Sequence, residues 1–528
     1  MTSVSNLKSS TQISSLIQQA SSDFEAPATA LQNQEKPINA QISALGSVQS
    51  ALSGLQSALS GLGNVQSLSQ RSVTTSPKGA VTASVTNDAA IGTYSLSNIH
   101  LAQTETLTSS GFASTSGSLG AGSIAIQVGS GSPVTITVPS GQDSLSGIAT
   151  AINQADAGVQ ATVIYDGANY HLALTADAAG SAAGFTVSGS GGLVAFSYGG
   201  GASGLTETSA PENASFSLNG LTITSGSNSI SGVVPGLSLT LAGSGSATVT
   251  VTQDATALDS AAQTVVAALN TALGTINQFT AFTPASGGGP LIGDVGLQIV
   301  RSDLLNAVTG QTNFSAASGG FNSLSSIGFT VTSSGTVTLG DRLLLAAAQV
   351  NYGAVASLLG NFGTTSNPNV SVQSIGSAKP GTYGIEVSSN GAAAVVGTVN
   401  GQAASGGSNG VMVVSGNGAA QGLALKVTSG VTGPLGTVTV AEGLFGQLTS
   451  ILNGALAVST GSVTQELSNL NASITSMNKQ IATLQKQALQ QTQALTNQFS
   501  VAQATISQLT TVSDFLSSYF NAGSGSGS

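Results

Sequence analysis

The chain has 528 residues, of which only 6% are Asp, Glu, Lys or Arg and 4% are aromatic, while Gly alone accounts for 68. That length suits three or four domains of roughly 150 residues each, and solubility must rest on hydroxyls and amides instead of ions. A net charge of −10 without a Lys/Arg cluster excludes nucleic acid as a partner, the lack of Cys excludes disulfides and thiolate sites, and no apolar run approaches the ~18 residues of a bilayer span, so no membrane insertion is expected.

The opening MTSVSNLKSSTQISSL has no apolar h-region of signal-peptide length, so secretion is expected to need no cleaved signal peptide. Leu45, Val48, Leu52, Leu55, Leu59 and Leu62 then recur at alternating spacings of three and four, the seam of a coiled-coil-like helix. Pro37 stands where such a helix could begin. Residues 1–75 are read as an N-terminal helical stem segment.

The middle of the chain alternates apolar and polar residues in short runs bounded by Gly, Asn and Ser, the pattern of antiparallel strands. Four landmarks occur twice in the same order. The first copy has GTY at Gly92, NG at Asn219, GLSLTL from Gly236 and TVTV from Thr248; the second has GTY at Gly381, NG at Asn400, GLALKV from Gly422 and TVTV from Thr437. Asn-Gly between alternating runs marks a two-residue hairpin, because both turn positions need positive φ. From GTY to NG the first copy takes 127 residues and the second 19. An extra domain at 104–211, reading hairpin, helix, hairpin, is therefore placed inside a discontinuous β module made of 76–103 and 212–255.

Residues 256–365 read as helical connectors, with helices starting at Asp259 and at Asp341, the latter as an Asp cap. Residues 366–441 form the second β module, an internal repeat of the first. A second seam follows in 442–520, at Leu467, Leu470, Ile474, Met477, Ile481, Leu484 and Ala488, resuming at Leu495 and continuing in frame to Leu509, Val512 and Leu516. Its flanks are Ser, Gln, Thr and Asn, so its polar face is neutral. The fold class expected is α+β and multidomain: both ends pair into a coiled-coil-like stem, small antiparallel β-rich domains form a head, and residues 521–528 are a disordered tail.

Chemistry-bearing constellations are missing from this pattern. His171 falls on the polar phase of YHLAL and reads as a solvated strand residue. GGSNG at 406–410 matches GxSxG but has neither a strand-to-helix elbow nor a downstream His. No EF-hand loop, HExxH helix or P-loop is present. No enzyme, and no catalytic, metal or cofactor-binding residues, are expected.

Several segments taken together resemble the flagellar filament capping protein family, also called the hook-associated protein 2 family. They are ISSLIQQASSDFEAPATALQNQ with the Leu45 seam, GTYSLSNIHLAQ, FSLNGLTITSGSNSISGVVPGLSLTL from Phe216, and SLSSIGFTVTSSGTVTLGDRLLLAAAQV from Ser323. The segment GQDSLSGIATAINQADAGVQATVIYDGANYHLALTA is similar to a motif shared across hook and filament proteins. The resemblance implies a ring-like homo-oligomer forming a lid on the distal tip of the flagellum, outside the cell, under which exported flagellin inserts and folds. The implied partners are flagellin, the hook-associated junction proteins and a type III export chaperone on the C-terminal helices, and the implied route is flagellar type III export. The two seams become the stem, oligomer or filament-contact surface. The very low charge and the second β module depart from the family pattern. Two other readings stand beside it: a hook-filament junction or flagellin-like axial protein, and a surface adhesin binding host glycans or mucin through the β head.

Overall fold

The computed structural model describes residues 10–200, 202–283, 287–310, 321, 323–340, 342–391 and 394–523. The protein is α+β, with helices at both ends flanking several antiparallel sheets. It divides into two units, Met1–Leu68 with Asp259–Ser528, and Ser69–Leu258.

The chain begins with α1 (Ser10–Leu59) and α2 (Val65–Leu68). Pro37 does not start a helix: α1 runs through both Pro27 and Pro37. Each ring costs one backbone hydrogen bond, and the burial of one face of α1 offsets it. Leu62 lies three residues past the end of α1 and is half-buried.

In Ser69–Leu258 the strands are β1 (Arg71–Ser76), β2 (Val81–Val85), β3 (Gly92–His100), β4 (Thr106–Ser109), β5 (Gly122–Val128), β6 (Val134–Val138), then α3 (Leu145–Gln154), β7 (Val159–Tyr165), β8 (Tyr170–Ala176), β9 (Phe185–Gly191), β10 (Tyr198–Gly199), β11 (Ala202–Ser203), β12 (Leu205–Ser209), β13 (Ala214–Leu218), β14 (Leu221–Ser225), β15 (Ser229–Val234), β16 (Leu237–Leu241) and β17 (Gly245–Gln253). Segment 104–211 builds two sheets, ordered β12-β4-β8-β7 and β11-β10-β9-β5-β6. The two hairpins and the helix read from the pattern are β5–β6, α3 and β7–β8; strands β4 and β9 to β12 were not read from it. Ser144 caps α3 by accepting the Gly147 N–H, which sets Ile148 and Ile152 into a core with Leu172, Leu174 and Phe185.

The remaining elements are α4 (Ala255–Thr280), β18 (Phe282–Thr283), β19 (Gly287–Gly288), α5 (Val295–Thr309), β20 (Phe329–Val331), β21 (Val337–Leu339), α6 (Leu343–Leu359), β22 (Phe362–Thr365), β23 (Val370–Ser374), β24 (Gly381–Asn390), β25 (Val395–Val399), β26 (Gln402–Gly406), β27 (Val411–Val414), β28 (Ala424–Val427), β29 (Gly433–Ala441), α7 (Leu444–Leu456) and α8 (Ser462–Gly523). Three boundaries differ from expectation. Helix α4 begins at Ala255, four residues before Asp259, and Asp254 caps it by accepting the Ala257 N–H at 2.9 Å. Asp341 lies outside the described residues, and the residue before α6 is Arg342 in left-handed conformation with no side-chain cap. Residues 521–523 are helical, the end of α8, and the rest of the tail, 524–528, lies outside the described residues.

The two β modules share one strand order. The first is β1-β17-β3-β13-β14 followed by a separate β15-β16-β2; the second is one sheet, β22-β29-β24-β25-β26-β27-β28-β23. Each strand of one has its counterpart at the same place in the other. The single break falls between β14 and β15, whereas β26 and β27 pair through Ala404↔Val414 and Ser405↔Val413. At that break Asn228 turns its carboxamide to the Ala102 backbone, donating to its carbonyl at 3.0 Å and accepting its N–H at 2.8 Å. Both GTY tyrosines donate to the carbonyl four residues earlier, Tyr94 to Ala90 at 3.0 Å and Tyr383 to Lys379 at 2.6 Å. Both NG turns have positive φ at each residue, 49° and 89° at Asn219 and Gly220, 50° and 76° at Asn400 and Gly401.

Candidate functional site

The two terminal helices meet. Thr492 Oγ1 of α8 donates to Ser21 Oγ of α1 at 3.2 Å, while Gln56, near the other end of α1, reaches Asn453 of α7 at 3.4 Å. Helices α1 and α8 therefore run antiparallel, with α7 stacked against the C-terminal part of α1. On α1, Leu45, Val48, Leu52 and Leu55 have no exposed surface and Leu59 is 4% exposed. At ~1.5–3 kcal/mol per buried aliphatic side chain, this stretch is the anchor of the helical stem.

The α8 seam is graded along its length. Ile481 and Ala488 are buried; Leu467, Leu470, Ile474, Met477, Leu484 and Leu495 are half-buried. Leu509, Val512 and Leu516 are exposed, at 64%, 54% and 46%. With Ser21 level with Thr492 and ~1.5 Å of rise per residue on both helices, the described start of α1 at Ser10 falls level with residue ~503. Beyond that point α8 continues with its apolar frame uncovered, and Phe515 and Tyr519 stack alongside, ring centroids 6.5 Å apart. The charge is low as expected: α8 holds Glu466, Lys479, Lys486 and Asp514 in 62 residues.

Titratable groups are used structurally. His171 is not simply solvated: Nδ1 lies 2.8 Å from the Ser109 carbonyl and Nε2 2.9 Å from Asp166 Oδ2. It thereby ties β8 to the end of β4 and to the β7–β8 turn, and neither ring nitrogen is left to act as a base. The Ser109 carbonyl, then Asp166, raise its pKa; backbone N–H groups of Asn169 and Ala168, then His171, hold Asp166 at about 2. Glu105 is buried, which raises its pKa against the opposing effect of the Phe185 N–H it accepts. Asp143 is held low, first by the Ser118 hydroxyl. GGSNG is the hairpin turn between β26 and β27, where Asn409 accepts the Val411 N–H. Among the described residues, no group of three or more His, Asp or Glu side chains is placed to hold a metal ion, and no helix is long and apolar enough to cross a membrane.

Family models match most of this architecture. The one for the flagellar hook-associated protein 2 N-terminus matches residues 9–105, which hold α1 and β1 to β3. The one for the flagellar hook-associated protein 2 C-terminus matches residues 211–511, more than half of the chain. The chain belongs to the flagellar hook-associated protein 2 family. A flagellin hook IN motif matches residues 123–178, which hold most of β5–β6, α3 and β7–β8. Flagellar hook-associated protein 2 of Escherichia coli K12 is 30% identical over 382 residues, covering 68% of this chain and 81% of the relative. The B-type flagellar hook-associated protein 2 of Pseudomonas aeruginosa is 28% identical over 351 residues, covering 61% and 73%. Among solved structures, the D1-D2-D3 domains of the flagellar cap protein FliD from Escherichia coli match with 31% identity, 60% of this chain and 90% of that one, at a TM-score of 0.49.

In this member of the hook-associated protein 2 family, α7 is a stem helix separate from α8, where the seam pattern reads as one segment over 442–520. Its Leu444, Leu448, Leu452 and Ala455 are buried, at spacings of four, four and three, so the same periodicity rule would have found them. The small residues Ala28 and Ala44, also buried on α1, fall outside a search for Leu, Ile and Val.

Proposed function

We propose that this chain is a flagellar filament cap: a homo-oligomeric lid at the distal tip that promotes insertion and folding of exported flagellin. Family membership supports the cap role. The observation that carries the finer reading is the graded seam of α8, buried or half-buried where α1 lies against it and exposed at Leu509, Val512 and Leu516. In this reading the anchored stretch keeps each subunit's stem folded, and the uncovered stretch contacts neighbouring stems and flagellin. The sheets are the head, in which subunits lie side by side, with 104–211 as an inserted head domain and 366–441 as a second β module.

A cap has to release and rebind as each flagellin is added, so its stem contacts must be weak and exchangeable. An apolar seam with neutral Ser, Gln and Thr flanks suits this, because it forms no salt bridges that fix a single register. Export through the flagellar type III route, with a chaperone covering the exposed C-terminal seam beforehand and hook-associated junction proteins as neighbours at the hook, completes the proposal.

The test is deletion of the coding region followed by imaging of filaments and assay of flagellin in the medium. Bald cells that shed unassembled flagellin, rescued by the parent gene and poorly rescued by Leu509→Ser with Leu516→Ser, are the expected result. Normal filaments in the deletion strain would overturn the assignment.

A further inference from the structure

Six Asn-Gly pairs occur in the chain, at Asn219, Asn390, Asn400, Asn409, Asn417 and Asn453. At such a pair the unhindered Gly amide nitrogen can attack the Asn side chain, so what decides the rate in a folded protein is whether the carboxamide is free to turn. The structure separates the six on this point. Asn390 donates to the carbonyls of Thr428 and Val431 at 2.7 and 3.2 Å. Asn409 accepts the Val411 N–H at 3.2 Å, Asn417 accepts from Gln421, and Asn453, inside α7, accepts from Gln56. Asn219 accepts the Ser95 N–H at 2.8 Å. Among the described residues, the Asn400 carboxamide makes no hydrogen bond, and Asn400 is exposed.

Asn219 and Asn400 are a matched pair. They are the same landmark of the internal repeat, with φ of 49° and 50°. Each donates its own backbone N–H to the corresponding residue of the neighbouring strand, Ser95 at 2.9 Å and Gly384 at 2.8 Å. The two turns differ in whether the side chain is held. We propose that Asn400 is a spontaneous modification site, the fastest of the six to convert to aspartate and isoaspartate.

The chemistry needs only water and base. Solvent base removes the Gly401 amide proton, and the nitrogen attacks Cγ of Asn400 and forms a five-membered succinimide. The Cγ–Nδ2 bond breaks and ammonia leaves with the proton returned from solvent. Water then opens the ring at either carbonyl, giving Asp or isoaspartate with no change of oxidation state. Isoaspartate routes the backbone through the former side chain, adding one carbon to the β25–β26 turn together with a negative charge.

The folded full-length protein, held at body temperature in mildly alkaline buffer, would be digested at intervals and each Asn-Gly pair followed by its one-dalton gain and by electron-transfer fragments specific for isoaspartate. The expected result is conversion at Asn400 roughly three- to tenfold faster than at Asn219, the range set by one net hydrogen bond, with the two rates converging in urea. Asn400→Gln should abolish the signal assigned to this turn. Equal folded-state rates at Asn219 and Asn400, or a faster rate at any of the other five, would overturn the proposal.

Discussion

Asn270 holds Val337 as a neighbouring strand would: its Nδ2 donates to the Val337 carbonyl at 2.7 Å and its Oδ1 accepts the Val337 N–H at 2.8 Å. One side chain of α4 thus completes both backbone bonds of a buried residue in β21. Asn153 of α3 does the same for Ala161 at the edge of β7, at 2.8 and 2.7 Å, and Asn228 for Ala102. Short or edge strands leave backbone groups that must be paired when buried, and in a chain with so few charges the carboxamide does this work.

Removing the Asn270 device is expected to be costly. Asn270→Ala strands a buried donor and a buried acceptor at ~1–3 kcal/mol each, so a loss of ~2–5 kcal/mol is expected in urea denaturation. Hydrogen exchange at Val337 should accelerate as well. A loss below ~0.5 kcal/mol would show that water replaces the side chain.

The stem should respond to position along the seam and not to residue type. Leu52→Ala removes a fully buried side chain and is expected to cost ~2–5 kcal/mol. Leu509→Ala, in the uncovered part of α8, should stay within ~0.5 kcal/mol in dilute protein. Equal effects would mean that the end of α8 is covered in the monomer.

Two carboxyls set a pH dependence in the stem. Glu466 of α8 lies beside Asp294, which caps α5 through Oδ1, accepting the Leu297 N–H at 3.0 Å. Burial first, then the Asp294 charge, raise the Glu466 pKa. A raised carboxyl pKa means stability that is fully present below the unfolded value of ~4.3 and is lost as pH rises through the folded value. Glu466→Gln should therefore stabilise the protein at neutral pH, with the gain over the parent shrinking in acid. Denaturation midpoints across this range would show it, and a gain that grew in acid would contradict it.

The β7–β8 turn should have the opposite limits. Asp166, held at about 2, contributes above its unfolded value of ~3.9 and loses that contribution as pH falls towards about 2. His171, raised, contributes below ~6.5 and loses that contribution as pH rises through its folded value. Hydrogen-exchange protection of residues 166–171 should therefore be greatest between about pH 4 and 6.5. His171→Gln should remove the alkaline limb and leave the acid limb. Protection unchanged across both limbs would show the pair to be incidental.

Periodicity made much of this protein legible from its residues alone. Alternating spacings of three and four mark both terminal helices because each needs one apolar stripe, and the repeated GTY, NG and TVTV landmarks mark a module used twice because strand phase and turn φ leave few residue choices. The change in spacing between those landmarks, 127 residues against 19, is what points to an inserted domain at 104–211. Local signals could not say that Pro37 lies inside a helix, since whether a helix survives a proline depends on the face buried elsewhere along it. They also could not grade the α8 seam: Leu467 and Leu516 occupy the same frame, and only the packing of other helices against α8 leaves one half-buried and the other exposed. His171 with Asp166 and Ser109, Asn270 with Val337 and Glu466 with Asp294 are decided in the same way. Such pairs form where strands and helices are brought together by packing across the chain, and the spacing of residues along it carries no record of which side chains will then share a hydrogen bond or a proton.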